Sequence, residues 1–241
     1  LDDDAAPAAT RAGGAPPAYT MLLNPDTEVP PGALATLVAA LDADPALGAV
    51  GPRLRYADGA LQPSRYRDPT PLTCLCDSTP LAWHWPNNPV VRRYHLADVP
   101  DDRAQDVDWL NGAALVVRSD ALRAVGGLDE GFFMYSEEAD LCRRLRSLGR
   151  RVRFEPAAEI VHLEGRSSGQ VVAARHVHFQ RSRVRYCRKH DGRAAAALVR
   201  FGLRAEFASE WLLEALKWTI GHKRAIRASR MRAYLTVIRS I

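Results

Sequence analysis

Cysteine is scarce, long apolar runs are missing, and acidic residues nearly vanish from the last third of this 241-residue chain. The four cysteines, Cys74, Cys76, Cys142 and Cys187, form no CxxC pair and no regular framework, and a chain this long does not need disulfide staples. They suit a reducing, cytosolic compartment. No uncharged apolar stretch reaches the roughly 20 residues of a membrane-spanning helix. The longest apolar tract, from Ala194 to Trp218, is interrupted by Arg200, Arg204, Glu206, Glu210, Glu214 and Lys217. Neither a basic-then-apolar leader nor an initiator methionine stands at the start, and no internal repeat is visible, so a cytoplasmic location is expected.

What is present suits one large domain, or one domain plus a helical extension: 47% of the residues are hydrophobic, enough for a real core. The net charge of +5 hides an asymmetry. Residues 1 to 165 hold 16 Lys+Arg against 24 Asp+Glu, a net −8, whereas residues 166 to 241 hold 17 against 4, a net +13. A basic tail suits an anionic partner such as phospholipid headgroups or a lipid diphosphate, and a peripheral place on the inner face of the cell membrane; a solvated helical face is the plainer reading. No RNA- or DNA-recognition motif accompanies the charge, so nucleic acid is not expected as a partner.

Residues 1–18, rich in Asp, Ala, Gly and Pro, read as a linker or ragged start. Tyr19 to Leu23 suits a buried strand, with Asn24-Pro25-Asp26 at its carboxyl end, where open α/β sheets gather ligands. Leu34, Leu37, Val38 and Leu41 follow at helical spacing, and Gly48 to Arg55 resumes an extended pattern. From Gln62 to Asp106 the chain is rich in Pro, Arg, Trp and Asp with little periodicity, and reads as a long loop. Order returns with Val107 to Leu110 and a strand from Ala113 to Arg118. Ser119 can cap a short helix, Asp120 to Val125, and Ser136 a longer one ending at Leu148, with Leu141, Leu145 and Leu148 buried. Strands at Val152 to Phe154 and Glu159 to His162 complete the core, expected to span residues 19–168. Residues 169–241 form a basic helical extension: one helix from Val171 to Arg188, then a second whose apolar stripe runs through Leu198, Phe201, Ala205, Ala208, Leu212, Ala215 and Thr219. That stripe, with Trp211 and Trp218 nearby, fits a membrane interface or a helix packed on the domain.

Three groups carry chemistry. Asp26, at a strand end beside a proline, is placed to reach a hard cation whose other ligands are phosphate oxygens, although Asn-Pro-Asp is also a common turn. His162 ends another strand, before a loop (163–168) able to close over a site; imidazole with carboxylate and phosphate oxygens suits Mn2+, with Mg2+ an alternative. Glu137, Glu138 and Asp140 open a helix, where the backbone dipole favours their ionised form. The apolar run Gly131 to Tyr135 just before them is expected to bury that turn.

From about Tyr19 to Gly192 the chain resembles a family 2 glycosyltransferase of the GT-A fold, in the rhamnosyltransferase-like branch. The resemblance rests on LLNPDTEVPPGAL, VGPRLRYADGALQPS, the long segment from VDWLNGAALVVRSD through GFFMYSEEADLCRRL to EIVHLEGRSS, and SRVRYCRKHDG. It implies an α/β fold, a Rossmann-like mixed sheet flanked by helices, and an inverting transfer from a nucleotide-diphosphate sugar to a saccharide or lipid-linked acceptor in cell-envelope polysaccharide synthesis. It implies that Asp26 is the second acid of the metal-binding DxD, with Asn24 in place of the first, that His162 completes the metal site, and that Glu138 stands where the catalytic base is generally aspartate. Asp140 matches the acid two residues on. Trp109, Asn111 and Gly112 resemble the segment lining the acceptor and donor-sugar pocket, or else a strand-turn-strand core; Arg143 and Arg144 would meet phosphate or face solvent.

Two departures stand beside the resemblance. The extra methylene of Glu138 moves its carboxylate by more than ~1 Å, enough to matter for a base. The strands and helices that grip the nucleotide have no counterpart in residues 1–18, so the fold is expected to be N-terminally incomplete: a fragment of a longer product, or a degenerate protein. The rival reading is therefore a non-catalytic, truncated transferase-like module whose basic tail docks on an anionic membrane or a partner.

Overall fold

The structure, a computed structural model, describes residues 16–163, 172–221 and 223–241. In chain order the first half holds β1 (Tyr19–Leu23), β2 (Thr27–Glu28), α1 (Ala33–Ala43), β3 (Leu47–Arg55), β4 (Leu61–Gln62), β5 (Arg65–Tyr66), α2 (Pro71–Cys76), α3 (Pro80–His84) and α4 (Pro89–Tyr94). There follow β6 (Gln105–Val107), β7 (Trp109–Leu110), β8 (Ala114–Arg118), α5 (Ser119–Ala124), α6 (Glu137–Ser147), β9 (Arg151–His162), α7 (Val172–His190), α8 (Arg193–Thr219) and α9 (Arg224–Ser240).

The main sheet is mixed and seven-stranded, in the order β1-β8-β3-β9-β2, with β4 beside β3 and β6 beside β9; β5 and β7 make a separate pair. Strand β3 runs parallel to β9, and β8 runs antiparallel to both β1 and β3. The carboxyl ends of β1, β3 and β9 therefore share one edge of the sheet, and the chain entering β8 reaches that same edge. A shift of register between Pro52 and Arg53 of β3 lets β9 gain three residues, from Glu155 to Glu159. Because side chains alternate faces with period two, an odd insertion exchanges the faces. Val152 and Phe154 accordingly join the core beneath α6, whereas Ala158 and Ile160 join the core beneath α1. His162 continues the latter parity and is buried at the strand's end.

Helix α1 buries Leu37 and Leu41, one turn apart, but leaves Leu34 exposed. Helix α6 buries Leu141 and Leu145; Leu148 lies past its end and is exposed, with Gly149 in the left-handed region (φ 77°) turning the chain away. Each fully buried leucine contributes about 1.5–3 kcal/mol relative to leaving it in water.

Several local expectations are corrected. Ser119 is the first residue of α5 rather than its cap, and its hydroxyl bonds that of Thr20 at 2.8 Å. Ser136 does precede α6, but with φ 65° and no side-chain capping bond. The two strands expected after Gly149 are one bulged strand, and 107–110 is split between β6 and β7. The stretch 62–106 is no long loop: α2, α3 and α4 each begin on a proline, at Thr70-Pro71, Thr79-Pro80 and Asn88-Pro89. Proline fits the first helical turn because its missing N–H would have no partner there. Thr70 and Asn88 add capping bonds from Thr73 N–H and Val91 N–H, at 3.1 and 2.9 Å.

These short helices support the helical layer. Cys74 of α2 packs with Val184 and Cys187 of α7, Val199, Leu203 and Phe207 of α8, and Val237 of α9 in a third core. Gly202 lets α8 approach, since a Cβ there would fall 2.6 Å from Leu75. All four cysteines are buried free thiols, with Cys74 Sγ 3.5 Å from Cys187 Sγ. The apolar stripe expected on α8 is exposed at Leu198, Phe201 and Leu212, and the packed face is instead Ala196, Val199, Leu203 and Phe207 with Glu210 and Glu214. Those acids are tolerated in the interface because His84 meets Glu210 at 2.6 Å and Arg227 meets Glu214 at 2.7 Å. Among the described residues no helix is long and apolar enough to cross a membrane. The expected boundary at 168/169, and most of the loop 163–168, lie outside the described residues.

Candidate active site

The turn after β1 and the end of β9 are stitched together by backbone. Leu163 N–H donates to Asp26 O at 2.8 Å, and Thr27 of β2 pairs with His162. This brings Asp26 Oδ1 to 3.4 Å from His162 Nε2, with Asn24 Nδ2 also 3.4 Å from that nitrogen. On the far side of the ring, His162 Nδ1 lies 3.1 Å from Gln62 Oε1. The amide oxygen can only accept, so Nδ1 carries a proton, and in the neutral ring Nε2 turns its lone pair toward Asp26. An imidazole lone pair and a carboxylate oxygen facing each other across 3.4 Å, both largely shielded from water, are a donor set into which a divalent cation fits. Among the described residues no group of three or more His, Cys, Asp or Glu side chains converges on a metal. An ion held there would have two protein ligands, Asp26 and His162.

The second group stands at the same sheet edge. Ala113 O, just before β8, accepts from Asn24 N–H at 2.9 Å, and the residue before it, Gly112, lies against Glu138. A Cβ on Gly112 would sit 3.3 Å from Glu138 Cβ, so glycine lets the acid come close. Tyr135 and Ser136 both adopt left-handed backbone (φ 68° and 65°), a strained pair that turns the chain sharply into α6. Burial, and secondarily the charge of Glu137, push the Glu138 carboxyl up to about 8 despite backbone N–H groups of Gly112, Glu138 and Ala139 facing it. Burial raises Glu137 as well. In each of these two acids one buried carboxyl oxygen, Oε2, has no hydrogen-bond partner. Such groups are costly to fold around and concentrate where a substrate supplies the missing partner.

Asp140, grouped with these two acids in the sequence, is placed differently. It is fully buried, and Arg144 Nε, Lys189 Nζ and His190 Nε2 each stand 2.7 Å from its oxygens. Burial alone would raise its pKa, but the bonds from His190, Lys189 and Arg144 outweigh burial and hold it down to about 2. It ties α6 to α7 and is not presented to the cleft. Arg143, expected at substrate, meets Asp191 at 3.5 Å and lies over the Tyr186 ring at 5.6 Å, again joining α6 to α7. Arg144 is spent on Asp140 and on the carbonyls of Val125 and Gly127. Trp109 is built into an aromatic stack, 4.1 Å from Tyr66, with its Nε1 donating to Arg67 O at 2.8 Å. Asn111 shapes the turn, its Oδ1 accepting from Ala113 N–H at 2.8 Å. The apolar run before α6 is only half buried: Phe132 is inside, whereas Phe133 is 78% exposed.

Sequence reasoning missed Gln62, which fixes the His162 ring, because it stands in the stretch read as loop. It also missed Lys189 and His190, whose partner lies 49 and 50 residues away.

A mixed sheet with an Asp–His pair at the carboxyl ends of its strands and a raised carboxyl at an adjacent helix start is an α/β architecture whose candidate site gathers at one sheet edge. Residues 5–177 match the model of the family described as glycosyltransferase-like family 2, and the chain belongs to that family. It is 30% identical over 215 residues to the N-acetylglucosaminyl-diphospho-decaprenol L-rhamnosyltransferase of Mycobacterium tuberculosis (strain H37Rv), covering 88% of this chain and 63% of the relative. Shorter matches reach 43% identity over 56 residues with the rhamnosyltransferase WbbL of Escherichia coli (strain K12), covering 23% of this chain and 21% of that one. A match of 49% over 57 residues joins it to the pre-mycofactocin glycosyltransferase of M. tuberculosis (strain H37Rv), covering 23% and 12%. The chain thus spans somewhat under two thirds of the length of the M. tuberculosis L-rhamnosyltransferase.

Proposed function

We propose that this chain carries the acceptor-activating and metal-holding part of an inverting glycosyltransferase. The donor is a nucleotide-diphosphate sugar, rhamnose by the kinship to two rhamnosyltransferases, and the acceptor a saccharide or lipid-linked saccharide of the cell envelope. The observation that carries the reading is Glu138: a raised carboxyl with an unpartnered oxygen, against Gly112 and at the same sheet edge as Asp26 and His162.

In a single displacement the acceptor hydroxyl oxygen bonds to the anomeric carbon as the bond from that carbon to the diphosphate oxygen breaks. Glu138 takes the hydroxyl proton, and a pKa near the working pH balances availability of the base against its strength. Gly112 N–H holds the carboxylate in place. Asp26 Oδ1 and His162 Nε2 would hold Mn2+ or Mg2+, with Gln62 fixing the ring, and the ion would supply Lewis-acid neutralisation of the departing diphosphate. Asn24, bonded to the same histidine nitrogen, borders the donor side.

The test is calorimetric titration of nucleotide-diphospho-rhamnose with and without Mn2+, followed by turnover on a lipid-linked acceptor. Metal-dependent donor binding that disappears in Asp26→Ala is expected; donor binding indifferent to both metal and Asp26 would end this reading. A peripheral membrane position is supported separately by the exposed α8 stripe among arginines. A non-catalytic membrane-docking module would keep that behaviour without turnover.

A further inference from the structure

Between α7, α8 and the turn preceding α6 lies a groove of about 730 Å³ that the proposed chemistry leaves unused. Arg181, Arg185, Arg188, Lys189 and Arg200 line it, and among the described residues no acid does. Two of these cations are partly neutralised from behind: Arg185 and Lys189 meet Asp129 at 2.9 and 2.7 Å. Arg181 donates to a backbone carbonyl, that of Ser240, at 2.6 Å. Arg188 and Arg200 have no hydrogen bond or ion pair among the described residues. The wall is shaped for these side chains, since a Cβ on Gly131 would overlap the Arg185 guanidinium at 1.7 Å. A concave site with this excess of positive charge suits a phosphate or diphosphate, which several guanidinium groups can bond at once.

The groove also has an apolar border. Phe133 lines it and is 78% exposed, packed only loosely against His178 at 4.8 Å between ring centres. On α8, Phe201 follows the groove-lining Arg200 and is 72% exposed, and it leads onto an exposed apolar stripe that includes Leu198, Leu212 and Leu216 and ends at Ile220. The groove wall and the proposed base share one run of chain: Met134 O accepts from Ser182 Oγ of α7 at 2.6 Å, and α6 with Glu138 begins three residues later.

We infer that this groove is the headgroup site of the acceptor, binding the phosphate or diphosphate of a single-chain polyprenyl-type lipid whose tail lies along the exposed α8 stripe. The inference rests on the reading of the chain as a transferase with a lipid-linked acceptor. It differs from general attraction to anionic membrane in needing a concave headgroup site continuous with the turn that leads to the base.

The test is titration of the protein, without metal or donor, with farnesyl diphosphate, inorganic pyrophosphate and phosphatidylglycerol vesicles. The wild type is expected to bind farnesyl diphosphate more tightly than pyrophosphate. The double substitution Arg188→Ala/Arg200→Ala, at side chains without a hydrogen bond or ion pair among the described residues and with folding checked by thermal melt, is expected to weaken farnesyl diphosphate at least tenfold. Phe133→Ser/Phe201→Ser is expected to weaken farnesyl diphosphate severalfold and leave pyrophosphate unchanged. Unchanged farnesyl diphosphate affinity in the arginine variant would overturn the inference, as would a loss confined to the vesicles. Donor titration separates the two readings: donor binding indifferent to Mn2+ and to Asp26→Ala, together with loss of farnesyl diphosphate in the arginine variant, keeps the groove while the transferase reading falls.

Discussion

Buried carboxylates are treated in opposite ways at the sheet edge and in the helical layer. In the helical layer and its supports, Asp77, Asp140, Glu210 and Glu214 are each met by at least one basic side chain. At the edge, Glu137 and Glu138 each keep a buried oxygen without a partner. Asp140 and Glu138 make the contrast sharpest: two positions apart on one helix, one is held down to about 2 and the other pushed up to about 8. Pairing holds elements together, whereas an acid left unpaired costs stability and is available for chemistry.

The comparison breaks first, and most visibly, at Glu138. Glu138→Gln is expected to lower kcat by roughly 10²–10⁴-fold with donor affinity retained, in initial-rate and binding assays. It should also stabilise the fold at alkaline pH. The folded chain holds the Glu138 proton up to about pH 8, while the unfolded chain gives it up near its ordinary value of 4.5. Stability from this group is therefore full below about 4.5 and lost as the pH rises through about 8. A urea midpoint that rises in the variant at pH 8 but not at pH 4 would show a site held at the expense of stability; no change in kcat would erase the contrast.

Breaking a pair in the other region should do the reverse. Arg183 is buried, bonds both Asp77 Oδ2 and Asp77 O, and so joins α7 to the end of α2, with His95 on Asp77 Oδ1 at 2.8 Å. Arg183→Ala leaves a buried acid short of its main partner and is expected to cost about 3–5 kcal/mol in urea unfolding. Loss of donor binding out of proportion to unfolding would contradict a purely structural role.

Acid should act on paired carboxylates such as Asp77 and Asp140 rather than on Glu138. Burial works to raise Asp77, but His95 and Arg183 hold it down to about 2, and Asp140 is held similarly. Both contribute stability that is full above about pH 4 and lost as the pH falls through about 2, on the order of 2 kcal/mol each. Asp140→Asn should flatten its share of that slope in unfolding experiments between pH 2 and 5.

The smallest effect is expected at Gly112. Gly112→Ala places a methyl group 3.3 Å from Glu138 Cβ, tight but relieved by a small shift. A severalfold fall in kcat with less than about 1 kcal/mol lost in stability is expected. A variant as active as wild type would mean that Glu138 does not depend on its close approach to Gly112.

Much of this was readable along the chain. Asn24-Pro25-Asp26 stands at a strand end, His162 ends another, and the acids at 137–140 open a helix, because turn residues, helical spacing and buried alternation act over a few neighbours. The class of the sheet followed instead from the family resemblance, which implied a mixed sheet flanked by helices. The helices of 71–94 were hidden because their prolines read as breaks, although a Thr or Asn before each proline was the signal for a helix start.

Only the tertiary structure decided which acids are free. Residues two apart on a helix point about 200° apart in direction. Whether Asp140 meets cations depends on Lys189 and His190, supplied by another helix some 50 residues away. Nor could spacing choose the packed face of α8. The sequence offers an apolar stripe at Leu198, Phe201 and Leu212, but the interface buries Glu210 and Glu214 because His84 and Arg227 arrive from other helices to pair with them. Local sequence determines where chemistry-bearing side chains sit along each element; long-range pairing determines which are neutralised and which are left exposed or unpartnered.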